Sequence, residues 1–123
     1  MASNMFNWVE LAATDISRAM TFYEKSFDLK FKMEEMGPLK LAFFPSGNMK
    51  EYGASGALVK GPGYKPSHEG TLPYIPVQDI EASLQKVSDN GGKILSGKKS
   101  IGPYGNIGIF EDTEGNRVGL HSM

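Results

Sequence analysis

The chain has no cysteine and only two histidines among its 123 residues. Without cysteine there can be no disulfide, no thiolate metal site and no cysteine nucleophile, which fits a cytoplasmic protein. Neither sign of charge dominates: 13 Lys and Arg stand against 14 Asp and Glu, a formal net charge of −1. Such a balance gives no electrostatic reason to expect nucleic acid or an anionic membrane as partner. No apolar run approaches the roughly 20 residues that span a bilayer. The opening Met1-Ala2-Ser3-Asn4 lacks the basic region and apolar stretch of a signal peptide. Aromatic residues include a single tryptophan, Trp8.

What is present reads as one domain over residues 1–123, with 40% hydrophobic residues and length enough to bury a core. Residues 5–13, MFNWVELAA, suit a strand carrying a single placed acid, Glu10. Asp15 is a natural helix N-cap, and Ile16, Ala19, Met20, Tyr23 and Phe27 recur at spacings of three and four behind it. Strands are expected over residues 28–36, 39–44 and 54–60, with a turn at Pro45-Ser46-Gly47-Asn48. GPGYKPSHEG, residues 61–70, is a linker rich in glycine and proline. After it the order returns: a strand over 72–77, the cap Asp79, a helix with inner face Ile80, Leu84 and Val87, a stop at Asn90-Gly91-Gly92, and strands over 93–98, 106–110 and 116–122.

The return is a duplication. At an offset of 64, Leu11 matches Ile75, Ala13 matches Val77, Asp15 matches Asp79, Ile16 matches Ile80 and Met20 matches Leu84. The chain is thus two βαβββ modules, residues 5–60 and 71–123, joined by the linker over 61–70. One helix covers only one face of its sheet. Strand alternation assigns Val9, Leu11 and Ala13 to the helix side, and Trp8, Glu10, Tyr74 and Pro76 to the open side. Two open faces curled by ordinary twist would enclose a cleft. Gly56 and Gly119, 63 apart, are placed in that cleft as corresponding residues, which brings Leu58 and His121 with them. The expected cleft has one layer of Trp8, Leu72, Gly56 and Gly119, and a second of Glu10, Tyr74, Leu58 and His121.

Three segments carry a resemblance to a known family: WVELAATDISRAMTFYEKSFDLKF, LPYIPVQDIEASLQKVSDNGGKIL and FEDTEGNRVGLHS. Together they resemble the vicinal oxygen chelate superfamily, which includes glyoxalase I, bleomycin-resistance proteins and extradiol dioxygenases, and above all its small bacterial glyoxalase-like members. The resemblance implies an α+β fold of two paired βαβββ modules forming a curled sheet around a cleft, and often a homodimer. Pairing of the modules within one chain and exchange between two chains both stay open. It also implies metal ligands on the first and last strands of each module. Those positions fall here on Trp8, Leu72, Gly119 and a residue near Gly56, none of which can bind a metal. No cofactor is therefore expected.

The expected function is a metal-independent small-molecule site lined by Trp8, Glu10, Leu58, Leu72, Tyr74, Tyr104 and His121, with no nucleic acid or membrane partner. Glu10 and His121 are the candidate proton-transfer pair of a lyase or isomerase, since a carboxylate beside an imidazole orients its tautomer and raises its basicity. Alternatives are a satisfied polar pair, a His121 exposed near the terminus, and a metal-dependent lyase or dioxygenase with displaced ligands. Tyr104, in the loop Ile101-Gly102-Pro103-Tyr104-Gly105, is a candidate aromatic lid. His68, with Glu69, is expected to meet solvent.

Overall fold

A computed structural model describes residues 5–45 and 54–123; Ser46, Gly47 and Asn48 of the expected turn lie outside the described residues. The first module runs β1 (Trp8–Ala12), α1 (Ile16–Phe27), β2 (Lys32–Met36), β3 (Leu39–Phe43) and β4 (Ser55–Lys60). The second runs β5 (Tyr74–Pro76), α2 (Ile80–Asp89), β6 (Lys93–Ser100), a 3₁₀ turn (Gly102–Tyr104), β7 (Asn106–Glu111) and β8 (Arg117–Ser122). Each module contributes a four-stranded mixed sheet, ordered β1-β4-β3-β2 and β5-β8-β7-β6. The first strand of each module lies parallel to the last, and the other pairs are antiparallel. The fold is α+β.

The caps set the helices. Asp15 accepts a hydrogen bond from the Arg18 backbone N–H at 3.0 Å, and Asp79 one from Ala82 at 3.0 Å, so each acid satisfies a free donor of the first turn. Asp28 ends α1 in the left-handed region, φ 53°, a conformation that aspartate tolerates better than most side chains. Phe22 and Tyr23 from α1, Ile80, Leu84 and Val87 from α2, and Leu58, Phe110, Val118 and Leu120 from the sheets form one core. The Phe110 ring lies 5.9 Å from both Phe22 and Phe27, so a side chain of the second module fills space beside the first module's helix. Each such aromatic contributes about 1.5–3 kcal/mol by leaving water.

A second junction is polar. The turn between β7 and β8 docks on the start of α1. Glu114 accepts hydrogen bonds from the backbone N–H groups of Thr14 and Asp15 at 2.8 Å, from Arg18 Nε at 2.8 Å and Nη2 at 3.1 Å, and from the Thr113 hydroxyl at 3.0 Å. Burial pushes the Glu114 carboxyl up, but the Arg18 hydrogen bond, the Asp15 N–H, the Thr113 hydroxyl and the Arg18 charge outweigh it and hold the group below its ordinary range. Buried Asp112 takes the Glu114 and Asn116 N–H groups on one oxygen, each at 2.9 Å, and Tyr23 Oη (2.7 Å) and Asn116 Nδ2 (3.0 Å) on the other. Asn116 Nδ2 also donates to the Ala12 carbonyl at 2.7 Å. The acidic turn before the last strand is thus a clasp between the modules. Burial first, then the Asp112 charge and hydrogen bond, raise the Tyr23 phenol well above its usual value, so it stays a donor.

Candidate binding site on the open sheet faces

Strand alternation places Glu10 and Trp8 as expected. Leu11 and Ala13 pack in the core among the helices, which turns Trp8 and Glu10 to the opposite face. There the Trp8 indole meets the Phe43 ring edge-on at 5.8 Å. Its Nε1 donates to one Glu10 oxygen at 3.2 Å, and the Tyr64 hydroxyl donates to the other at 2.8 Å. The Glu10 carboxylate is therefore gripped on both oxygens by aromatic donors. The hydrogen bond to Glu10 and its charge raise the Tyr64 phenol's pKa, because an ionised phenol would face a carboxylate. Trp8 stays 45% exposed, which leaves ring surface free for a ligand.

Glu10 and Tyr64 also line a pocket of about 260 Å³ between the first strand and the linker, together with Lys65, Ser67, Asn116 and Arg117. Arg117 Nε is buried and, among the described residues, has no hydrogen-bond partner. A buried donor left unpaired is costly and calls for an acceptor. The pocket thus offers a fixed acceptor in Glu10, the Arg117 side chain and the Tyr64 ring.

The second module's open face carries Tyr74 and His121. Tyr74 pairs with Gly119 across the parallel ladder, and Pro76 pairs with His121. His121 Nε2 lies 2.6 Å from the Tyr104 carbonyl oxygen. A carbonyl can only accept, so Nε2 carries the proton and Nδ1 holds the lone pair of the neutral ring. Tyr104 itself is 72% exposed and reaches His121 through its backbone. Leu72 is partly buried just before β5. His68 is exposed, as expected, and its Nε2 also contacts the Glu111 carboxylate.

Two expectations need correction. Leu58 is fully buried among the helices and does not face the site. It lies beside Leu11 in the ladder as Leu120 lies beside Ile75, so Leu58 corresponds to Leu120 and Gly56 to Val118. Matching Gly56 to Gly119 misaligns the last strands by one residue, and a one-residue slip turns every side chain to the other face. Ser55, Ala57 and Val59 are the residues of β4 that share the face of Trp8 and Glu10. The layers also differ, because Tyr74 stands level with Gly119 and not with His121. Among the described residues no hydrogen bond or ion pair joins Glu10 to His121: the partners of Glu10 are Trp8 and Tyr64, and that of His121 is Tyr104. Tyr64 and Arg117 escaped the sequence reading. Tyr64 sits in the linker, 54 residues from the acid it holds, and no local spacing announces such a pair.

The metal implied by the resemblance does not fit these positions. Trp8, Leu72, Gly119 and, with the corrected register, Ala57 offer no donor side chain. The space above Gly119 holds the Tyr74 ring, which would stand 2.5 Å from an added Cβ. Among the described residues no three His, Asp or Glu side chains gather where one ion could bridge them. Among those residues, too, no helix is long and apolar enough to cross a membrane.

Comparison with known proteins agrees with this architecture. The family model of the Glyoxalase/Bleomycin resistance protein/Dioxygenase superfamily matches residues 5–120. A glyoxylase-like domain-containing protein of Didymella fabae is 35% identical over 114 residues, covering 88% of this chain and 85% of its own. TnmS3, an antibiotic binding protein from Streptomyces sp. CB03234, shares the fold with a TM-score of 0.72 at 22% identity, over 99% of this chain and 98% of its own. Glyoxalase I from Zea mays aligns with a TM-score of 0.69 at 21% identity; the match takes in 94% of this chain but 44% of the maize protein. The two modules, their topology and the family match lead to one conclusion: the chain belongs to the glyoxalase/bleomycin resistance protein/dioxygenase superfamily.

Proposed function

We propose that this protein binds a small organic molecule on its open sheet faces without help from a metal ion. The observation that carries the reading is the Glu10 carboxylate held by Trp8 and Tyr64 in a pocket that Arg117 also lines. The ligand class that suits it has a flat apolar body for the Trp8 ring, a donor for Glu10 and an acceptor for Arg117. TnmS3, which shares the fold, is described as an antibiotic binding protein, and that supports binding as the role. Metal independence is supported by the side chains at the implied ligand positions, none of which is a donor.

The test is calorimetric titration with a panel of planar, amine- and carbonyl-bearing compounds. Glu10→Gln and Arg117→Ala should each weaken binding about tenfold or more, since a charge-assisted hydrogen bond contributes about 1.5–3 kcal/mol. A chelator should leave the affinity unchanged. Equal affinity in both folded variants, or loss of binding with chelator, would overturn the reading.

One observation favours a second reading, a lyase or isomerase that moves a proton. The Tyr104 carbonyl fixes the His121 tautomer with Nδ1 as the basic nitrogen. Turnover that His121→Ala abolishes and Tyr104→Ala preserves would select it, because the Tyr104 contribution is a backbone carbonyl.

A further inference from the structure

We propose a second ligand site in the seam between the modules, adjoining the open-face site along β1, which accepts an uncharged flat apolar molecule of about ten non-hydrogen atoms. A pocket of about 250 Å³ opens there, with Val9 and Leu11 of β1 on one wall, Ile75 and Val118 of the second module on another, and Phe27 and Leu29 at the end of α1. Val9 and Leu11 point away from Glu10 by strand alternation; together with Pro73 they border both pockets, whereas Glu10 and Tyr64 line only the open-face one.

The size and lining define the occupant. A cavity of roughly 150 Å³ lined by Leu, Ile and Phe stays dry and takes up benzene. In proportion, 250 Å³ holds a fused two-ring aromatic of about ten heavy atoms. None of the described lining residues is charged. Of the three lining residues with hydroxyls, two are committed, Tyr23 Oη donating to Asp112 at 2.7 Å and Ser55 Oγ lying 3.4 and 3.5 Å from the carbonyls of Phe44 and Pro45, and the third is Tyr74. An ionic ligand would lose its hydration and gain no partner, whereas an apolar one gains contact with walls from both modules. Protein interiors are otherwise close-packed, so an apolar space of this size marks a receptor more than a packing fault. A ligand spanning Val9 and Val118 would tie the modules together as the Glu114 turn does.

The probe is indole, added to the full chain with its methyl groups observed by NMR. Saturable shifts are expected at Val9, Leu11, Ile75 and Val118. Two substitutions at exposed or half-exposed lining positions, Leu29→Trp and Ala54→Phe, should fill or close the pocket and weaken binding at least tenfold. Glu10→Gln should bind indole as the native chain does, which separates this site from the one on the open faces. Absence of methyl shifts up to the solubility of indole, shifts confined to Ala57 and Thr71 beside Glu10, or undiminished binding by both folded variants would overturn the proposal. Should either variant fail to fold, the methyl map of the native chain decides.

Discussion

Replacing Glu114 with glutamine tests the clasp between the modules. The native carboxylate accepts from two backbone N–H groups through one oxygen and from Arg18 Nε and Thr113 through the other. Glutamine can keep the first pair with its carbonyl oxygen, but its NH₂ then faces the Arg18 Nε–H, donor against donor. The Arg18 side chain is 51% exposed while that of Glu114 is fully buried, so the ion pair must be discounted for solvent screening, to about 0.5–1 kcal/mol. Adding the lost charge-assisted character of the backbone bonds brings the cost to about 2 kcal/mol. Unfolding entropy of about 2.1 cal/mol/K per residue implies about 0.26 kcal/mol/K for a chain of this length, so the midpoint should fall by about 8 °C at pH 7. The pH dependence adds a second constraint. The folded Glu114 titrates below its ordinary range. Its contribution is therefore complete above the unfolded value of about 4.3 and drains away as pH falls through the lower folded value. Glutamine does not titrate, so the gap between native and variant midpoints should narrow over that same window. Calorimetric scans from pH 7 to pH 3 read both effects. No loss at pH 7, or a gap that stays constant down to pH 3, would refute the reasoning.

Tyr23→Phe deletes the buried donor to Asp112 and should cost about 1.5–3 kcal/mol, read by urea titration at neutral pH with an unchanged denaturant slope. Gly56→Ala should destabilise far more than Gly97→Ala: a Cβ at position 56 would overlap the Val9 carbonyl oxygen, while one at 97 meets open space. Comparable melting temperatures for the two alanine variants would contradict the close approach of β4 to β1.

Much of the architecture was legible because local signals agreed with one another. Asp15 and Asp79 each precede a stripe at helical spacing, and both aspartates cap where expected. The open-side orientation of Trp8, Glu10 and Tyr74 followed from alternation anchored by Leu11 and Ile75, which pack against the core. The last strands were harder. A spacing of 63 joined two glycines that look alike, but glycine has no side chain to report which face it takes, and Leu58 was turned the wrong way. The leucines were the better guide, because Leu58 and Leu120 both pack in the core with the helices. Tyr64 and Arg117 were invisible for another reason. Their roles come from where the linker and the last strand cross β1, and sequence distance carries no trace of that crossing. The Glu111-Asp112-Thr113-Glu114 run could have been read as a surface turn, yet two of its acids serve as acceptors for the other module.

The placement of Phe110 has a consequence for how the duplicated halves relate to each other. With that ring seated against Phe22 and Phe27, a polypeptide ending before the linker would carry a helix with a bare aromatic flank and no Glu114 to receive the Thr14 and Asp15 amides that lead into it. The two halves, produced as separate fragments, should stay unstructured alone and regain order on mixing, as complementary pieces of a single cooperative unit.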